Sequence, residues 1–312
     1  MTLISVNGLS TKYESANGPV YAVDDVDFEL KDGESIGIAG ESACGKSTLG
    51  LSVIRALSGG KTKGTILFDG ESILELSESG FNKKFRWKKI SMIFQGAMNS
   101  LDPVFTISEQ CLEIIKQHNF PGDSQKIISD AMHAVSLNES VLKKYPHELS
   151  GGMKQRVVIA MALLLKPKFV IADEPTTALD VLIQAQIVNL LKNLKKDGMS
   201  FMLITHDLAV LSEIADKVGI MYGGQIVEFG SSQEIYKNPK HPYTKGLLES
   251  IPTLSGNVPK YIKGIPPSLL DPPTQCRFLD RCPVAVEKCK RIPPKFKTEA
   301  GYVRCWLFEP LS

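Results

Sequence analysis

Residues 40–48 read GESACGKST, which matches the pattern GxxxxGK[ST]. The preceding residues, 34–39, are short and mostly apolar and predict a buried strand. The following residues, Lys46 to Leu57, carry apolar side chains at helical spacing and predict a helix that ends at Gly59-Gly60. A glycine-containing loop between a strand and a helix is the context in which this pattern binds phosphate.

The chemistry of the loop follows from its residue types. Glycines let backbone N–H groups turn inward toward phosphate oxygens, and the helix adds its positive N-terminal dipole. Lys46 is expected to reach the β- and γ-phosphates of ATP, and the Ser47 hydroxyl to ligate Mg²⁺. An ordinary glycine turn before a helix is the alternative, which the strand–loop–helix context disfavours. The predicted ATP-binding residues of the loop are Gly40, Ser42, Ala43, Cys44, Gly45, Lys46, Ser47 and Thr48.

Cys44 allows two interpretations. In the first, a thiol replaces a serine hydroxyl at little steric cost. In the second, the helix N-terminus lowers the pKa of the thiol and makes the loop redox-sensitive.

Two acids, Asp173 and Glu174, follow a second predicted buried strand at residues 169–172. A carboxylate at the end of a buried strand is unfavourable unless it meets a cation or hydrogen-bond donors. Asp173 can hold Mg²⁺, directly or through water, and Glu174 can polarise the attacking water as a general base. A solvated strand end is the simpler explanation for such a pair taken alone.

Composition and charge limit the class of protein. The 312 residues are 43% hydrophobic and 22% charged, which is typical of a globular protein with a real core. The net charge of +2 argues against general nucleic-acid binding. The longest apolar run, residues 157–165, is less than half of the ~20 residues that a bilayer span requires. We therefore expect any connection with a membrane to go through a partner.

Strand-like and helix-like segments alternate through the first 235 residues or so. Residues 181–196 predict an amphipathic helix and residues 200–205 a further strand. This alternation predicts an α/β fold with a largely parallel sheet. Twelve of the 18 prolines lie at or after Pro239, so we place a boundary near residue 236, before a small loop-rich extension.

Residues 149–156, LSGGMKQR, resemble the LSGGQ signature of the ABC ATPases. Other motifs of that family occur in the same order along residues 3–230. Tyr13 is similar to the aromatic that stacks on adenine, and Gln95 to the Q-loop glutamine. Residues 178–180 resemble the D-loop, with Asp180, and His206 resembles the switch histidine.

The resemblance implies an ABC-type P-loop ATPase core at residues 1–235, with a helical subdomain at about 96–155. It implies that Glu174, His206 and Gln95 are catalytic and that Ser47, Gln95 and Asp173 ligate Mg²⁺. Ser150 is expected to cap a helix from about Gly151 to Lys166. In this family Ser150, Gly151 and Gly152 would contact the ATP held by the other ATPase subunit. Tyr13 as a core aromatic and His206 as a structural strand-end histidine are the alternatives.

The sequence departs from the family pattern in the phosphate loop and after the Q-loop. Ala43 and Cys44 stand where relatives often have glycine and serine, and Gly96-Ala97 replaces the more usual aspartate-proline. Neither change removes a catalytic group, so we expect a competent ATPase.

The C-terminal residues 236–312 resemble the extension of oligopeptide/dipeptide importer ATPases. The resemblance rests on HPYTKGLL at 241–248, SLDP at 100–103 and IPPSL at 265–269, together with four cysteines. In those relatives the cysteines hold a [4Fe–4S] cluster. The cysteines are Cys276, Cys282, Cys289 and Cys305.

Without the resemblance, a cluster and a Zn²⁺ site are equally open. Gaps of five, six and fifteen residues contain no short zinc knuckle, and they do not match the usual ferredoxin spacings either. Buried free thiols are the third possibility. Disulfides are disfavoured for a chain without an export signal. The resemblance favours the cluster, in a structural role, with redox sensing as the alternative.

The same resemblance implies the partners and the location. We expect two transmembrane permease subunits, a second ATPase subunit (in a heterodimer, or a homodimer) and an external solute-binding protein. The ATPase would lie peripherally on the cytoplasmic face of the cell membrane. Oligopeptides or dipeptides are the expected cargo, with oligosaccharides or nickel chelates as alternatives, and an iron–sulfur assembly ATPase is the main rival outside transport.

Overall fold

The computed structural model describes residues 1–177, 179–251 and 261–310. The chain forms two compact units: the first comprises Met1–Leu74 and Ile204–Ser312, and the second comprises Glu75–Leu203. The strands and α-helices are, in chain order, β1 (Thr2–Ser15), β2 (Gly18–Lys31), β3 (Ile36–Ala39), α1 (Lys46–Val53), β4 (Gly60–Phe68), β5 (Glu71–Ser72), α2 (Glu78–Lys84), β6 (Ile90–Ile93), α3 (Ile107–Gln117), α4 (Ser124–Ala134), α5 (Gly151–Leu163), β7 (Phe169–Asp173), α6 (Val181–Lys196), β8 (Ser200–Ile204), α7 (Leu208–Ile214), β9 (Lys217–Tyr222), β10 (Gln225–Ser231), α8 (Ser232–Lys237), α9 (Pro242–Glu249), β11 (Phe296–Lys297) and β12 (Tyr302–Val303).

The first unit contains an antiparallel sheet in the order β2-β1-β4-β5. β1 and β2 form a long hairpin in which Ser15 pairs with Gly18. The register shifts at several points along this hairpin, so buried side chains do not alternate strictly with exposed ones. Because the alternation is broken, the sequence pattern did not predict this sheet.

The phosphate loop follows β3, which belongs to another set of strands in the first unit. β3 pairs in parallel with β9, and β10 and β12 continue this set in antiparallel pairs. All four residues of β3 are buried, as expected for a strand covered on both faces. Tyr302 and Val303 near the C-terminus join these strands as β12, which pairs with β10.

The second unit contains β6, β7 and β8, with β7 between the other two. β6 and β7 pair in parallel, and β7 and β8 are buried throughout. Helices α2 to α6 belong to the same unit, and short 3₁₀ turns join some of them. These elements confirm the α/β class predicted from the sequence.

The predicted strands were right to within two residues, and α6 has the predicted bounds. Two helices end earlier than predicted. α1 stops at Val53 and not at Leu57, because Arg55 turns into the left-handed region at φ 55°. α5 stops at Leu163 and not at Lys166, because Lys166 adopts left-handed backbone at φ 53°.

Residues 96–155 contain α3, α4 and the start of α5. The helical subdomain and the boundary near residue 236 stay predictions. None of the helices in the described residues is long and apolar enough to cross a membrane.

Candidate nucleotide-binding site

The phosphate loop needs glycine at two positions. Gly40 has φ 156°, and a Cβ there would lie 2.1 Å from the carbonyl oxygen of Met221. Gly45 has φ 106°, and a Cβ there would lie 1.9 Å from the carbonyl oxygen of Ala22. The loop therefore packs directly against neighbouring backbone, which only glycine permits at these two points.

Lys46 is the first residue of α1, and its side chain folds back over the loop. Its Nζ donates to the carbonyl oxygens of Gly40 and Glu41, both at 2.8 Å, and contacts the Cys44 Sγ at 3.8 Å. The side chain is 7% exposed. The ammonium is thus held at the centre of the loop, where phosphate oxygens are expected to bind.

The departure from the family pattern at Ala43 has a conformational consequence. Ala43 adopts φ 60°, and left-handed backbone disfavours a residue with a Cβ by roughly 1–2 kcal/mol. This explains why glycine is common at the position. Ser42 and Ala43 are exposed, while Ser47 and Thr48 are half-buried at the start of α1.

Cys44 is buried, with 4% of its surface exposed. Burial raises the pKa of its thiol, and the nearby Lys46 opposes this rise without reversing it. A raised pKa makes a thiol less reactive. The structure therefore favours the replacement of serine by a similar shape over a redox-sensitive loop.

Two further predicted residues belong to the first unit. Tyr13 lies half-buried on β1, beside Gly60, where an added Cβ would come 3.0 Å from the Tyr13 ring. His206 is exposed and directly precedes Asp207, which caps α7. The neighbouring Thr205 N–H donates to the carbonyl oxygen of Ile38 on β3 at 3.2 Å. The roles of Tyr13 and His206 stay predictions.

The two acids belong to the second unit. Asp173 ends β7 and is 3% exposed, whereas Glu174 is half-buried. Glu174 has φ 48°, an unfavourable conformation for this residue, and its carboxylate accepts a 2.6 Å hydrogen bond from the Thr177 hydroxyl. Strained backbone of this kind is common at active sites, because it orients a side chain in a direction that regular secondary structure does not allow.

Ser150 caps α5, accepting a hydrogen bond from the Met153 N–H at 3.4 Å. Ser150 and Gly151 are exposed, which leaves the N-terminus of this helix open to a ligand. Gly152 is buried, and a Cβ there would come 2.9 Å from Ile183 on α6. This glycine therefore allows α5 and α6 to pack closely.

The remaining predicted residues also lie in the second unit. Asp180 caps α6 by accepting from the Ile183 N–H at 3.0 Å. Gln95 is exposed and lies between β6 and a 3₁₀ turn at Ala97–Ser100. Ala178 of the predicted D-loop lies outside the described residues.

The four tail cysteines are free thiols, close enough for a charge on any of the other three to raise the pKa of Cys276. Burial, the largest effect, raises the pKa of Cys276 to about 11 and that of Cys305 to about 11. Backbone N–H groups beside Cys276 and Cys305 oppose this rise in pKa without reversing it. In residues 1–177, 179–251 and 261–310, no group of three or more His, Cys, Asp or Glu side chains is placed to hold a metal ion.

Residues 23–177 match the family described as "ABC transporter". The oligopeptide transport ATP-binding protein AppD of Bacillus subtilis is 44% identical over 320 residues, covering 99% of this chain and 97% of the relative. This chain belongs to the ABC transporter family. Residues 227–289 of this ABC protein also match the family described as "Oligopeptide/dipeptide transporter, C-terminal region".

Other comparisons agree. The ABC chain is 42% identical to the oligopeptide transport ATP-binding protein OppD of Escherichia coli over 318 residues, covering 99% of this chain and 94% of the relative. It also resembles the solved dimeric structure of an ATP-binding cassette bound to ADP and phosphate after hydrolysis. That match has a TM-score of 0.65 and 27% identity, and it covers 74% of this chain and 99% of the other.

The structure shows contacts of the phosphate loop that the sequence did not indicate. The Glu41 N–H of the phosphate loop donates to the Tyr243 hydroxyl at 3.0 Å, and the Glu41 carboxylate pairs with Arg281. Tyr243 lies in the segment HPYTKGLL, which served only as a family marker in the sequence. No local pattern could reveal these contacts, because the partners are about 200 residues or more apart.

Proposed function

We propose that this chain is the ATPase subunit that powers the import of oligopeptides or dipeptides through partner permeases. The observation that carries the proposal is the extent of the similarity. Both the ATPase motifs and the C-terminal region match, and relatives named for oligopeptide or dipeptide transport align along nearly the whole chain.

The proposed work of the chain is ATP hydrolysis assisted by Mg²⁺. The phosphate loop and Lys46 bind the triphosphate, and Tyr13 stacks on adenine. Ser47, Gln95 and Asp173 are proposed to hold Mg²⁺, which neutralises charge on the phosphates when bound. Buried Asp173 offers a carboxylate next to a strained Glu174, an arrangement that suits one acid for the metal and the other for water.

The second half of the site would come from another subunit. Exposed Ser150 and Gly151 at the N-terminus of α5 are proposed to bind the γ-phosphate held by a second ATPase subunit. The assembly would further contain two permease subunits and an external solute-binding protein. Its ATPase would lie peripherally on the cytoplasmic face of the membrane.

Domain roles follow the proposed boundary near residue 236. Residues 1–235 would bind and hydrolyse ATP, with about 96–155 as a helical subdomain that docks on the permease. Residues 236–312 would form the extension that marks the oligopeptide and dipeptide group.

Transport in sealed native membrane vesicles tests the cargo. Wild-type vesicles should take up labelled di- and oligopeptides when ATP is supplied on the cytoplasmic side, and Lys46→Ala vesicles should not. Uptake of an oligosaccharide or a nickel chelate, with none of peptides, would overturn the peptide assignment while retaining ATP-driven import. Affinity purification of the same complex should recover permease chains, and their absence would favour an ATPase outside transport.

We further propose that the four tail cysteines hold a [4Fe–4S] cluster, with Zn²⁺ as the alternative. The mutual proximity of the four thiols supports a shared ligand. The thiols would have to lose protons and draw together as the ligand binds, since the described residues contain no ready-made set of three. The proposed role is structural, and redox sensing is the alternative.

Anaerobic purification should give a brown protein with broad absorption near ~400 nm and about four irons per chain. Cys282→Ser should lower the iron content and speed proteolysis after about residue 250. Cys111→Ala removes a buried thiol of α3, far from the tail in sequence, and should leave the iron content unchanged. One zinc and no iron in the anaerobic protein would overturn the cluster in favour of a zinc site.

A further inference from the structure

The guanidinium of Arg281 lies beside the phosphate loop, where it pairs with Glu41. Its Nη1 and Nη2 donate to the two Glu41 carboxylate oxygens at 2.7 and 2.9 Å. The remaining donors reach the Tyr222 hydroxyl at 3.2 Å and the carbonyl oxygens of Lys263 and Ile262 at 2.9 and 3.3 Å. Five hydrogen bonds thus engage its five N–H donors, and the side chain is 5% exposed.

Glu41 is correspondingly fixed from three sides. Its carbonyl oxygen accepts from Lys46, its N–H donates to Tyr243 and its carboxylate pairs with Arg281. Two of these three partners come from the part of the chain after residue 236. The first variable residue of the phosphate loop is therefore held by the C-terminal extension.

The position of Arg281 is itself set by the cysteine segment. Arg281 ends a 3₁₀ turn at Leu279–Arg281, between Cys276 and Cys282. The Leu279 N–H donates to the carbonyl oxygen of Cys276 at 3.0 Å, and the Cys282 N–H to that of Leu279 at 3.2 Å. These backbone hydrogen bonds within the segment fix the position of Arg281.

The same segment packs against Tyr222 and Tyr243 through Phe278, which is 2% exposed. The Phe278 ring lies 5.2 Å from that of Tyr222 and 5.4 Å from that of Tyr243, measured between centroids. These two tyrosines are the ones whose hydroxyls bond Arg281 and Glu41. Aromatic packing and hydrogen bonding therefore act together to hold Arg281 in place.

We propose that Arg281 is a positioning residue for ATP binding, which holds the phosphate loop ready for the triphosphate and neutralises Glu41. The proposal has two physical reasons. A loop that is already ordered loses less conformational freedom when it binds. A carboxylate within a loop that receives a triphosphate repels the ligand unless a cation pairs with it.

This inference rests on the proposed nucleotide site, and its test separates the two. ATP·Mg²⁺ binding to the full chain would be measured by titration calorimetry. Lys46→Ala should weaken binding strongly, which tests the site itself. Arg281→Ala should raise the Kd roughly tenfold, the size expected for losing a bidentate charged pair and leaving its carboxylate uncompensated. Arg281→Lys keeps the charge but not the bidentate geometry, so its Kd for ATP should lie between those of wild type and Arg281→Ala.

A matched control comes from the same extension. Arg304 also directly precedes a tail cysteine, Cys305, is 5% exposed and pairs with a carboxylate, that of Asp25, outside the loop. Arg304→Ala should leave the Kd for ATP within about twofold of wild type. Equal weakening by Arg281→Ala and Arg304→Ala would mean that the tail merely loosens, and it would overturn the proposal.

The double variant Glu41→Gln/Arg281→Ala separates the loss of charge compensation from misfolding. It removes the uncompensated carboxylate, so it should bind ATP more tightly than Arg281→Ala alone, recovering about threefold. In the assembled transporter, Arg281→Ala should raise the KM for ATP and leave kcat within about twofold. The role would be contradicted if the double variant bound ATP no more tightly than Arg281→Ala, or if Arg281→Ala lowered kcat at unchanged KM. Unchanged ATP binding by Arg281→Ala would also contradict it. Weakened binding by Lys46→Ala in the same experiment would still support the nucleotide site.

Discussion

Replacing Glu174 with glutamine should abolish ATP turnover and leave ATP binding intact. The substitution keeps the size of the side chain and its hydrogen bond with Thr177, but removes the base that would polarise the attacking water. General bases contribute a factor on the order of 10²–10⁴, so kcat should fall by at least that much in the assembled transporter. Binding should survive because Lys46 and the phosphate loop, which would hold the triphosphate, belong to the first unit, whereas Glu174 belongs to the second.

Steady-state hydrolysis and nucleotide titration on the same preparation check this prediction. Asp197→Asn is a suitable control, since Asp197 is an exposed carboxylate at the end of α6 with no proposed role. Turnover by Glu174→Gln within about tenfold of wild type would remove Glu174 as the base. Lys46→Ala should differ from Glu174→Gln, because it should weaken ATP binding itself.

The isolated chain should hydrolyse ATP poorly, and the assembled transporter rapidly. The physical reason is that the N-terminus of α5, with Ser150 and Gly151, is proposed to serve the nucleotide of another subunit. Hydrolysis per chain should therefore rise steeply with concentration or on addition of the partner ATPase and permease. Full activity in a dilute preparation, verified as monomeric by light scattering, would be incompatible with a shared site.

Ser150→Asp refines the same test, because aspartate is as good a helix cap as serine and adds a negative charge. It should preserve the stability of the chain and strongly reduce hydrolysis by the assembled transporter, since the added charge would face a γ-phosphate. Ser77→Asp makes the equivalent change at the cap of α2 and should have little effect on hydrolysis. A similar loss in both variants would point to a general change of the second unit.

The sequence predicted elements well where local rules agree. The bounds of α6 follow from an apolar stripe, an aspartate cap at Asp180 and two lysines in the last turn. The strand before the phosphate loop was predicted by its apolar run and the following glycine. In these places periodicity, capping and turn chemistry all indicate the same structure.

Prediction failed where tertiary packing decides. The ends of α1 and α5 depend on left-handed residues, Arg55 and Lys166, whose types do not mark a helix end. The hairpin of β1 and β2 turns at Ala16-Asn17, but its shifts in register hide the usual alternation. The pair of Glu41 with Arg281 joins residues 240 positions apart, for which one sequence carries no signal.

The pairing of β12 with β10 has a consequence for any shortened form of the protein. Phe229 and Glu228 of β10 face Tyr302 and Val303, which cover the outer side of that strand. A chain cut before residue 300 would leave β10 as an open edge rich in apolar side chains, including Ile226 and Val227. Such an edge is a template for strands of other molecules, so β12 shields β10 from self-aggregation.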